Sequence, residues 1–81
     1  MTEIKKTISA DDRLKVLALA TIANQKAREA DAFAQQMAEL IGYSSPFDTK
    51  LHELVYSKGF TVAEFDQHLL WDGIAVEDRD G

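Results

Sequence analysis

Two imidazoles and fourteen carboxylates are the side chains in this 81-residue sequence best suited to joint acid–base and metal chemistry. His68 and Asp72 stand four residues apart, so on a helix both reach the same side and could hold one metal ion or one another. Two ligands do not close a zinc site, and four-residue spacings arise often by chance. His52 lies outside any H-E-x-x-H pattern. Glu64 and Asp66 are a surface pair of carboxylates, with no order of Ser, His and Asp and no glycine-rich phosphate loop beside them. No pocket with perturbed acids and bases can be assembled from this set, so we expect no enzyme, no metal and no cofactor. Absence of cysteine removes disulfides and thiolate metal sites, and fits a reducing compartment.

Charge narrows the partners. Through Gly42 six basic side chains face six acidic ones, and after it three face eight, so the net charge of −5 sits in the second half. That half is poorly suited to nucleic acid and suited to a basic partner. The first eight residues lack the apolar core of a signal peptide, and the most apolar run, Leu14 to Ala23, is too short to span a membrane. The expected setting is cytoplasmic.

The elements that must position these residues are helical. No Gly or Pro falls between Ser9 and Ile41. Ser9 suits an N-cap, Asp11 and Asp12 suit a first turn, and Gly42 suits the left-handed residue just past a helix. The reading is one helix over 10–41. Along it Val16, Ala20, Ala23, Ala27, Ala30, Ala34, Met37 and Ile41 recur at alternating spacings of four and three, a heptad seam of mostly small residues. The same stripe also suits the core face of a monomeric bundle with a break near Asn24-Gln25-Lys26. Leu14 to Ala23 is apolar nearly all round, and the rest of the chain is too short to cover it easily. The preferred expectation is therefore a helical homodimer joined through this seam.

Ser45-Pro46 starts a second helix over 46–58, with Phe47, Leu51, Leu54 and Val55 as its inward stripe and Gly59 as its stop. Thr61 and Glu64 form a capping box for a third helix over 62–72, with Val62, Phe65 and Leu69 turned inward. The fold class expected is all-α: a long helix followed by a helical hairpin, in a single domain over 1–81. Residues 1–8 read as an arm, where a short edge strand would have no obvious mate, and 75–81 as a frayed acidic tail. Trp71 points away from the Val62/Phe65/Leu69 stripe. With Asp66 and Asp72 beside it, Trp71 is the candidate surface for an unknown protein partner.

Leu51 to Gly73 resembles a helix-turn-helix, with Leu54-Val55, Gly59 in the turn and Phe65 in the second helix. The resemblance implies DNA binding. It fails where DNA would be read, because Thr61 to Leu70 carries Glu64 and Asp66 and no Lys or Arg. The functional expectation is a small, acidic, non-catalytic interaction or regulatory module. A DNA-binding regulator and an acidic mimic of nucleic acid are the alternatives.

Overall fold

In the computed structural model, which describes residues 4–77, the chain is mostly helical and carries a small parallel sheet. Strand β1 (Lys6–Ser9) runs into helix α1 (Ala10–Gln25), and a 3-10 turn (Ala27–Glu29) leads to α2 (Ala30–Leu40). A second 3-10 turn (Pro46–Asp48) precedes α3 (His52–Val55), which is a single turn. Helix α4 (Val62–Trp71) and strand β2 (Ile74–Glu77) complete the chain. None of these helices is long and apolar enough to cross a membrane.

The expected 10–41 helix is two helices. The break falls at Lys26, whose φ of −108° and ψ of 73° leave the helical region. No Gly or Pro marks it, so the cause is tertiary. The Asn24 amide donates to the carbonyls of Leu54, Val55 and Ser57 at 2.9, 3.2 and 2.8 Å, tying the end of α1 to the end of α3. Past the break α2 folds back onto α1. The alanine seam thus closes on itself within one chain. Val16, Ala20 and Ala23 of α1 and Ala30, Ala34, Met37 and Ile41 beyond it are all buried, while Ala27, in the turn, is exposed. Small side chains let the two helices approach closely, which is how a seam read as a dimer contact serves as an internal core. Seven of its eight side chains have no surface left to offer a second copy.

The caps behave as their residues dictate. Ser9 Oγ accepts from Asp12 N–H at 3.1 Å. Gly42, at a φ of +87°, donates to Glu39 O at 3.1 Å and lets Tyr43 N–H reach Ala38 O at 2.9 Å, a Schellman closure of α2. Thr61 and Glu64 form the reciprocal capping box at the start of α4.

The second expected helix, 46–58, is mostly absent. Thr49 is extended and buried, and its hydroxyl donates to the Asp72 carboxylate. Lys50 N–H donates to both oxygens of Asp72 at 3.0 and 3.1 Å, and Leu51 N–H donates to Thr49 Oγ1 at 3.2 Å. Side-chain acceptors replace the carbonyls that a continuous helix would have used, so the helix restarts only at His52. The short α3 packs on α1 and α2.

The arm and the tail find each other. Residues 6–9 pair in parallel with 74–77, Lys6 opposite Ile74 and Ile8 opposite Val76. Ile8 and Ile74 are buried beneath this sheet. The strand without an obvious mate is mated by the segment read as frayed. Residues 1–3 and 78–81, the rest of the expected arm and tail, lie outside the described residues.

Candidate interaction surfaces

Helix α4 and its C-cap carry the three residues singled out from the sequence and place them differently, while Val62, expected to face inward, is 52% exposed at the start of the helix. Asp66 stays near the surface, where it accepts a bidentate ion pair from Arg13 of α1 at 2.8 and 2.9 Å. This hydrogen bond is the main reason the Arg13 guanidinium is held above its ordinary pKa. Trp71 is 48% exposed, and its ring lies 4.7 Å from that of His68. Asp72 is turned inward onto Thr49 and Lys50, so it is withdrawn from the surface. The carboxylate organises the 49–55 segment from a distance, and charged groups buried in this way are normally paired.

The His68–Asp72 pair does not converge. His68 Nδ1 donates to Glu64 O at 2.8 Å, and the Asp72 oxygens are directed to the backbone and hydroxyl of the next segment. His52 Nδ1 likewise donates to a carbonyl, Thr49 O, at 2.7 Å.

A second aromatic surface lies elsewhere. Phe47 is 64% exposed and stacks on Tyr56, their rings 5.9 Å apart and within 5° of parallel. The His52 ring tilts against Phe47 at 5.5 Å. The Tyr56 hydroxyl donates to the Asp31 carboxylate of α2, which pushes its pKa up to about 12, with burial and the nearby charge adding to the effect. Phe47 is an inward residue on the helical reading of 46–58. The interruption at Thr49 is what turns it outward, and no local signal in the sequence announces that. Tyr43, at the corner after α2, packs beneath the Lys6 ammonium, 4.0 Å from its ring, and burial raises its pKa.

A third feature is an open groove of about 540 Å³ between the start of α1, α4 and β2. Arg13, Asp66, Leu69 and Leu70 line it together with Ile74, Ala75 and Val76. Of these strand residues Ile74 is buried, and Ala75 and Val76 are partly exposed. Among the described residues no third strand pairs there.

No family model matches the chain, and neither a curated protein nor a solved structure is similar to it.

Proposed function

We propose that the protein is a non-catalytic protein–protein interaction module whose partner docks on exposed aromatic side chains. The observation that carries this reading is the stacked Phe47–Tyr56 platform, with a phenylalanine 64% exposed on a chain whose core is otherwise closed. Rigid, exposed aromatic rings are characteristic anchors of protein interfaces. Asp31 is bonded to the platform, and Asp48 adjoins it in the chain. Aromatic faces beside carboxylates suit an arginine-bearing segment, which stacks on the ring and pairs with the acid. The excess of acidic side chains after Gly42 supports the same choice. Trp71 is a second anchor on the same terms.

The test is a photoreactive amino acid placed at position 47, 71 or 36 in the full chain, in the cells that make it. Gln36 serves as an exposed polar control. The expected result is one discrete adduct from position 47 or 71 that position 36 does not give. Equal labelling at all three positions, or none, overturns the proposal.

A further inference from the structure

We infer that the chain has a second folded form, a dimer in which residues 4–25 of each copy pack on the remainder of the other and 10–41 is one continuous helix. With seven seam residues buried, a second copy cannot add to this core. It can take the place of one half of it. The unit exchanged is β1 with α1. It meets the rest of the chain through the β1–β2 ladder, the Lys6 ammonium on Ile41 O at 2.8 Å, the Arg13–Asp66 ion pair and the Asn24 amide on the end of α3. Ile8, Val16, Ala20 and Ala23 are its buried side chains. Each of these polar contacts joins a residue before Lys26 to one after Glu29. Each therefore forms between two copies as it forms within one, and the single chain already displays the complementarity of the interface.

The segment that must change is 26–29, and its chemistry favours the continuous helix. Lys26, Ala27, Arg28 and Glu29 are strong helix formers, with no Gly or Pro among them. The turn has no local device to hold it. Ser9 and Thr61 cap α1 and α4 with their side chains, whereas neither the 3-10 turn nor α2 has a side-chain cap. Straightening gives the N–H groups of Ala27 and Arg28 the carbonyls of Ala23 and Asn24. Packing against the rest of the fold keeps the turn closed, and the exchanged dimer retains that packing.

The seam shows where the two copies cross. Outward from Ala27 its residues stand four, seven and eleven positions before and three, seven and ten after. That spacing is symmetric about Ala27 to within one residue, as an antiparallel pair of identical helices requires. It also keeps its phase through 26–29, which two separate helices do not need. Ala27 is the seam residue exposed in the single chain. At the crossing it meets its own copy, where a small side chain permits close approach. Asp31, Phe47 and Tyr56 all follow the turn, so the aromatic platform stays within one copy and either proposal can fail alone.

Contacts across a short link act at an effective concentration on the order of 1 mM, so the dimer is favoured as the chain approaches that level. Refolding the full chain from urea at about 1 mM should yield a dimer by light scattering, and at about 1 µM the monomer. Ala27→Pro separates the two forms. Position 27 opens the 3-10 turn, where proline is accommodated and holds Lys26 away from helical angles. Inside a continuous helix the same proline should weaken dimerisation at least about a hundredfold. A second measurement does not depend on that variant folding. Arg13→Asp and Asp66→Arg each lose the ion pair, both in a single chain and in a dimer of like chains. Refolded together, the exchanged heterodimer restores the pair at both of its interfaces, and native mass spectrometry should show it above the statistical half. A monomer after refolding at every concentration, a dimer that folded Ala27→Pro leaves unchanged, or random mixing of the two charge variants overturns the inference.

Discussion

Two carboxylates six residues apart, one on α4 and one at its C-cap, show how little a residue's type says about its work. Asp66 holds Arg13 at the surface, with side-chain exposures of 45% and 22%. Solvent screens such a pair, and its removal costs about 0.2–1 kcal/mol. Asp72 is buried and satisfies the Thr49 hydroxyl and the Lys50 amide. Removing it strands both donors, at roughly 1–3 kcal/mol each. Urea denaturation should therefore show Asp72→Ala losing about 2–6 kcal/mol, and Asp66→Ala no more than about 1. Equal losses would mean that the 49–55 segment does not depend on Asp72. Tyr56 gives a second test. Its folded pKa of about 12 lies above the ordinary value, chiefly through the Asp31 hydrogen bond. The folded chain holds this proton more tightly than the unfolded one, so the contribution is complete below pH ~10 and is lost as pH rises through the folded value. Ultraviolet titration of phenolate should show Tyr56 ionising late, and Asp31→Ala should lower its midpoint. An unchanged midpoint would remove the Asp31 bond from the description.

The elements were legible where local chemistry sets them. Ser9, Gly42 and the Thr61–Glu64 box mark ends that the sequence states by residue type, and α4 is found at nearly its expected length. The three failures share a cause: each depends on a residue distant in sequence. Asn24 reaches α3, Asp72 reaches Thr49, and β1 reaches β2 from the opposite end of the chain. A helix pattern also reads the same whether its seam meets another chain or its own continuation. The seam nevertheless makes an opposed pair of predictions. On one continuous dimeric helix, Ala27→Glu would break the contact. With the helix folded back at Lys26, Ala27 is exposed and the change should stay within about 0.5 kcal/mol. Ala34 is fully buried, and Ala34→Glu forces an unpaired charge into the α1–α2 contact, costing about 4 kcal/mol or more. Thermal unfolding of both variants decides between the two packings.

At the scale of the whole molecule, the distribution of charge bears on what the fold can meet. The helix-turn-helix resemblance needs two helices, one to cross a phosphate backbone and one to enter the groove. Here the first is the single turn α3, packed on α1 and α2, and the second is α4, which presents Glu64 and Asp66. Arg13, the basic side chain nearest to α4, is committed to Asp66. DNA affinity rests largely on lysine and arginine releasing counterions from phosphate, and only three such residues follow Gly42, one of them outside the described residues. A titration of the full chain with labelled duplex DNA at low salt should therefore be flat. Low salt is the most permissive condition, because any phosphate contact is strongest there. Binding that fades steeply as salt is added would show that basic side chains reach the duplex despite the acidic α4. It would restore the DNA-binding reading over the aromatic one.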